Sequence, residues 1–210
     1  MIIPPTSITF SIGSSVNGPD LKPVGSKDKM YKYSQGWFLT SEIRSRLNEF
    51  ITPQTYRVLE IGCFEGLSSV FFAEHLLTGE SSMICVDPFL NIETNDHKQY
   101  LVNNEEANFD YNIRTCPNAN KIDVRKITSD EFFKTNTNTF NFIYIDGCHE
   151  RDFVTRDMEN SFAALESEGI MWMDDYGGVQ IKETMDAFLD KYQNQYTLIH
   201  SGYQLAIRKI

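Results

Sequence analysis

Apolar residues along this chain follow two alternating rhythms. Short runs rich in β-branched and aromatic residues predict strands: YRVLEIG (56–62), SMICVD (82–87), KIDVRKIT (121–128), FNFIYID (140–146) and GIMWMD (169–174). Two closely spaced runs at 196–200 and 203–209 predict a closing antiparallel hairpin around Ser201 and Gly202. Between the strands the spacing becomes helical. Ile43, Leu47 and Phe50 recur at i, i+4 and i+7, from an N-cap at Thr40 to a stop before Pro53. LSSVFFAEHLL (67–77) follows the first strand, Val154, Met158, Phe162 and Leu165 form one later stripe, and Ile181, Met185, Phe188 and Tyr192 form another. Strand and helix alternate without an internal repeat, which predicts an α/β fold with a doubly wound, seven-stranded, mainly parallel sheet and an antiparallel C-terminal edge. The start of the chain is rich in Pro, Gly and Ser and lacks periodicity. Residues 1–35 are therefore expected to be an arm or linker and 36–210 the folded domain.

With 210 residues, 41% hydrophobic and 23% charged, the chain has the make-up of one soluble domain with a sizeable core. A net charge of −10 opposes broad binding to nucleic acid, which needs a basic face, and suits a small neutral or cationic substrate. Cys63, Cys85, Cys116 and Cys148 are far apart with no CxxC pair, the pattern of reduced, mostly buried thiols. No run has the length of a membrane span and no basic leader opens the chain, so a cytoplasmic protein with no membrane partner is expected. The arm leaves room for a homo-oligomer or for fusion to other domains.

Chemistry concentrates at the strand ends. Asp146 closes the fourth run, and Asp174 and Asp175 follow it by 28 and 29 residues, enough for one crossover helix between adjacent parallel strands. The three carboxylates can then meet at the C-terminal edge of the sheet, with His149 three residues past the first. A lone Asp at such a place serves as a loop cap, but three with a histidine favour a hard cation: Mg²⁺, with Mn²⁺ or Ca²⁺ open to the same oxygen donors. A second candidate is the loop from Glu60 to Gly66. Its glycines let the backbone turn tightly and approach a ligand at a helix N-terminus. They stand four apart with Phe64 between them, so the G-x-G-x-x-G dinucleotide pattern is absent. Asp87, ending the second strand, is placed to accept ribose hydroxyls.

Together VLEIGCFEGLSS, the strand-ending Asp87 and YIDGCH followed by MWMDDY resemble class I S-adenosylmethionine-dependent methyltransferases, over about residues 36–210. The first loop resembles that of the catechol O-methyltransferases, and IDGxH with DDY is similar to the branch that includes the macrolide-sugar O-methyltransferases. The resemblance implies a Rossmann-like fold and S-adenosylmethionine as cofactor. It places Glu60, Gly62, Cys63, Phe64, Gly66, Ser68, Asp87, Ser129 and Asp146 at the cofactor and Asp146, Asp174 and Asp175 on a divalent metal. His149 matches the branch's histidine and, with Asp146, is the implied catalytic pair, His149 acting as base by position. Arg151 and Asp152 depart from the branch's Tyr-Glu pair, while Asp157 retains its pattern.

The implied activity is metal-dependent methyl transfer to a hydroxyl of a small acceptor, preferably a sugar or glycan. A phenolic acceptor and a non-catalytic cofactor-binding domain are the alternatives. His75 is expected to pack in the core, and His97 and His200 lack partners at ligand spacing. Asp157 is expected to hydrogen-bond a neighbouring loop. Tyr31, Tyr33 and Trp37 either line a pocket or pin the arm to the core.

Overall fold

The computed structural model describes residues 31–89 and 104–210; most of the expected arm, and His97, lie outside them. The strands are β1 (Arg57–Ile61), β2 (Ser82–Val86), β3 (Ile122–Arg125), β4 (Phe140–Ile145), β5 (Leu165–Met173), β6 (Tyr196–Ser201) and β7 (Leu205–Lys209). The helices are α1 (Glu42–Phe50), α2 (Leu67–His75), α3 (Glu105–Thr115), α4 (Ser129–Thr135), α5 (Arg151–Ala164) and α6 (Val179–Lys191). They build one seven-stranded sheet in the order β3-β2-β1-β4-β5-β7-β6. The first five strands pair in parallel, and β7 runs antiparallel between β5 and β6. This is the α/β, doubly wound architecture expected from the alternation. The strand order reverses between β1 and β4, so their C-terminal ends open the crevice in which such sheets bind ligands.

Both faces of the sheet are covered, which is why its strands appear in the sequence as continuous apolar runs. Along β4 the side chains alternate. Phe142 and Tyr144 join the layer containing Leu47, Phe72 and Phe109, while Ile143 and Ile145 join the opposite layer with Met158 and Met185. Helix α2 is buried from Ser68 to Ala73, its two serines included.

Three local expectations change. Thr40 does not cap α1: its hydroxyl donates to the Trp37 carbonyl at 3.2 Å inside a 3₁₀ turn, Trp37–Thr40, and Ser41 holds the cap position. The Ile43 N–H in the first turn of α1 is satisfied instead by the Gln204 side chain at 2.8 Å. β3 stops at Arg125 because Thr128 opens α4 with a capping box: the Glu131 N–H donates to its hydroxyl at 3.2 Å, and its own N–H donates to the Glu131 carboxylate at 3.1 Å. Leu165, expected at the end of a helical stripe, begins β5 opposite Phe140, and the ladder shifts register before resuming at Phe142.

Candidate active site

The loop after β1 is shaped by left-handed backbone. Gly62 (φ +81°) and Gly66 (φ +79°) adopt it, and Phe64 between them does so at φ +47°, where a side chain is strained. A Cβ at Gly62 would overlap the carbonyl of Asp146, so only glycine lets this loop lie against the end of β4. The Phe64 ring meets Trp37 at 5.3 Å, which holds the strained residue and leaves Trp37 about half exposed at the crevice. Asp87 anchors the same loop from β2. One carboxylate oxygen accepts the N–H groups of Cys63 (2.7 Å) and Phe64 (2.9 Å), and the other accepts that of Phe89 (2.8 Å). A carboxylate has about four acceptor positions, so about one remains on Asp87 for a ribose hydroxyl. Burial raises its pKa although the three amides oppose the rise.

Other sequence candidates lie beneath the crevice. Glu60 is completely buried; its two oxygens accept the hydroxyls of Ser68 and Ser69, and the Cys85 thiol lies 3.5 Å away. Burial pushes its carboxyl up to about 7 against those hydrogen bonds. Glu60 and Ser68 thus bind each other in this structure and tie β1 to the first turn of α2. Ser129, the first residue of α4, is the hydrogen-bonding partner of Asp157, whose carboxyl burial pushes up to about 6. Asp157 therefore bonds the first residue of a neighbouring helix, where a loop was expected.

His75 packs on Phe71 at 4.2 Å and donates to its carbonyl. His200 stacks on Trp172 and lies between Arg46 and Glu42. A residue the sequence left unremarked, Glu65, is buried within the loop. It accepts the Ser34 N–H from the arm and the Asn108 amide at 2.7 Å, while Asn112 bonds both groups of the Lys32 backbone. Tyr31 adds a 3.4 Å bond to Glu74, so residues 31–34 are pinned across the loop.

The acidic edge forms where β4 and β5 end. Asp146 follows β4, its N–H bonded to Ile61 at 2.8 Å; Asp174 follows β5, its N–H bonded to Ile145 at 2.9 Å. Asp146, His149 and Asp175 bring one donor atom each to within 4.8 Å of one another, a spacing that one cation could bridge. His149 Nε2 lies 2.8 Å from one oxygen of Asp175, and the Tyr203 hydroxyl donates to the other at 2.8 Å. Asp174 is turned to a different set. Its Oδ2 accepts Tyr144 (2.6 Å) and Gln204 (2.7 Å), and its Oδ1 accepts the N–H of Asp175 (2.7 Å).

The charges differ accordingly. Burial, then the neighbouring charges of Asp174 and Asp175, raise Asp146 well above the usual carboxylate range. Asp174 is also raised, first by burial and then by Asp175, with Tyr144 and Gln204 opposing. Burial pushes Asp175 up as well, but His149 and Tyr203 outweigh it and leave its pKa lowered. The Asp146 carboxylate is thus an oxygen donor crowded by Asp174 and Asp175, within 4.8 Å of donor atoms of His149 and Asp175. That donor set fits a hard divalent cation. Sequence reasoning missed Tyr144, Tyr203 and Gln204; the only sequence signal was a glutamine in the middle of an otherwise apolar terminal run, GYQLAI.

Residues 59–176 match the family model described as "Methyltransferase domain", more than half of the chain. The chain belongs to this methyltransferase family, and the sheet agrees with the class I S-adenosylmethionine-dependent methyltransferases that its sequence resembles. No curated protein matches it. Among solved structures it is similar to a protein described as a methyltransferase from Streptococcus mutans, in complex with SAH (11% identity, 80% of this chain and 95% of that one, TM-score 0.59). It is also similar to the O-methyltransferase TomG from Streptomyces achromogenes, involved in tomaymycin synthesis and solved with SAM (12%, 80% and 75%, TM-score 0.56). A third, a protein described as an rRNA methylase from Clostridium thermocellum, shares 13% identity over 80% of this chain and 95% of that one, TM-score 0.57. At these identities the likeness is one of fold. The described residues contain no helix long and apolar enough to cross a membrane.

Proposed function

We propose that this methyltransferase is a metal-dependent O-methyltransferase that moves the methyl group of S-adenosylmethionine to a hydroxyl of a small acceptor, a sugar hydroxyl in preference to a phenol. The observation that carries the reading is the meeting of two loops at one crevice: the glycine loop after β1 lies directly against Asp146, which is also the first member of the Asp146, His149 and Asp175 cluster. Solved O-methyltransferases of this fold hold SAM or SAH, which supports the donor. The −10 net charge weighs against a ribosomal RNA acceptor despite the likeness to a described rRNA methylase.

In this reading the loop from Gly62 to Gly66 and Asp87 hold the methyl donor, whose sulfonium sulfur leaves without needing a proton. Asp146, Asp174 and Asp175 would hold Mg²⁺, which when bound makes an acceptor hydroxyl more acidic and fixes its direction. His149 accepts the hydroxyl proton. Nε2 is bonded to Asp175, and this carboxylate orients the ring. The second reading, a phenolic acceptor, uses the same residues and finds support in the exposed aromatic faces of Trp37 and Tyr203 at the rim.

The test is transfer of a radiolabelled methyl group to a panel of nucleotide sugars, free glycans and catechols, with Mg²⁺ and with EDTA. Label on sugars only with Mg²⁺ supports the proposal. Label on catechols alone selects the second reading, and equal transfer in EDTA removes the metal.

A further inference from the structure

Gln204 is wholly buried immediately before β7, and every polar atom of its side chain has a partner. The direction of its amide is dictated from outside the acidic edge. Oε1 receives the N–H of Ile43 at 2.8 Å and the indole N–H of Trp172 at 2.9 Å, and both of these groups can only donate. A flipped amide would set its NH₂ against two donors, so Nε2 must face the other way. There it donates to Asp174 Oδ2 at 2.7 Å and lies 3.5 Å from the Tyr144 hydroxyl. The backbone is fixed too: the Gln204 N–H donates to Glu42 at 2.8 Å, and its carbonyl accepts the Gly202 N–H at 2.9 Å.

We propose that Gln204 is a positioning residue for the cation site, a directional clamp that takes its orientation from α1 and Trp172 and uses it to hold Asp174 in place as a ligand. This rests on reading Asp146, Asp174 and Asp175 as the metal ligands. Capping α1 and satisfying Trp172 require only an acceptor at this position. The residue present also supplies a donor, and that donor is spent on the one acidic-edge carboxylate lying apart from the His149 cluster. Held by Gln204 and Tyr144 together, Asp174 is fixed in direction, and the cation meets a preset ligand.

Gln204→Met keeps the length of the side chain and removes the Nε2 donor. Gln204→Asn, one methylene shorter, serves as a second variant should the first not fold. Mn²⁺ binding by calorimetry is compared with S-adenosylhomocysteine binding on the same folded protein. The expected result is a loss of about tenfold or more in Mn²⁺ affinity, the scale of one hydrogen bond to a charged group, with S-adenosylhomocysteine affinity within about twofold of wild type. In turnover, the Mg²⁺ concentration for half-maximal rate should rise more than the saturated rate falls. Variants that bind Mn²⁺ as wild type does overturn the clamp and leave the metal reading standing. Wild-type protein that binds no Mn²⁺ overturns both.

Discussion

Replacing Glu60 with Gln should change how the stability of this protein depends on pH. Glu60 has no exposed surface, and its carboxyl is pushed from 4.5 to about 7 by burial. Below 4.5 the folded and unfolded chains both carry the proton. Between 4.5 and about 7 the folded state holds a proton that the unfolded state has released, so stability falls as pH rises, by about 1.4 kcal/mol for each pH unit. Above about 7 the loss is complete, and it totals about 3 kcal/mol. Gln is neutral throughout, matches the shape, and can bond the same two hydroxyls: its oxygen accepts from one and its NH₂ donates to the other, since a hydroxyl rotates. Asp87, Asp157 and Asp174 are raised as well and tilt the curve with the same sign, but they are present in both proteins and cancel in the difference; Asp146, which the Glu60 charge itself helps raise, adds to the variant's gain at the high-pH end. Urea denaturation of wild type and Glu60→Gln at intervals from pH 4.5 to 8 should show the variant gaining about 3 kcal/mol relative to wild type. A constant difference across that range would mean that Glu60 is ionised throughout or reached by water, and the reasoning would fail.

Asp87→Ala should weaken S-adenosylhomocysteine binding by about ten- to a hundredfold in calorimetry, since it removes a ribose acceptor and also frees the amides of Cys63 and Phe64. Tighter binding of NAD than of S-adenosylmethionine would refute the site. Asp175→Asn should lose Mn²⁺ affinity while keeping S-adenosylhomocysteine, because the two ligands use different loops; equal losses of both would point to misfolding. His149→Ala at saturating Mg²⁺ should lower turnover about 10²- to 10⁴-fold with little effect on cofactor affinity, and near-normal turnover would leave the metal alone to activate the hydroxyl.

Much of the architecture was legible because burial on both faces turns central strands into apolar runs, FNFIYI and GIMWM above all, and because a carboxylate just past such a run must lie at a sheet edge. That placed Asp87, Asp146, Asp174 and Asp175 correctly in space. The hydrogen-bond partners of those carboxylates were not legible. Gln204 reaches Ile43 across 161 residues and Tyr203 reaches Asp175 across 28, contacts that exist only once β7 has inserted between β5 and β6. The same insertion explains the misplaced cap at Thr40, since α1 takes its partner from the far end of the chain. Ser68, which the family resemblance placed at the cofactor, donates its hydroxyl to Glu60 on β1, a contact that the sequence did not show. Glu65, which the sequence left unremarked, is buried because the arm's Ser34 and the Asn108 amide both donate to it.

The contact between Gly62 and the Asp146 carbonyl has a bearing on how such an enzyme could change its substrate. Backbone touches backbone there, so the interval between the glycine loop and Asp146 is set by main chain and cannot be tuned by exchanging side chains. Trp37 and Tyr203 stand outside that contact, on the 3₁₀ turn before α1 and on the β6–β7 turn, both more than half exposed. Selection for a new acceptor can therefore rework the exposed faces of this rim, within the contacts that Trp37 makes to Phe64 and Tyr203 to Asp175, while the reach of transfer stays constant. Related chains should vary most at the rim and hardly at all at position 62, whatever they methylate.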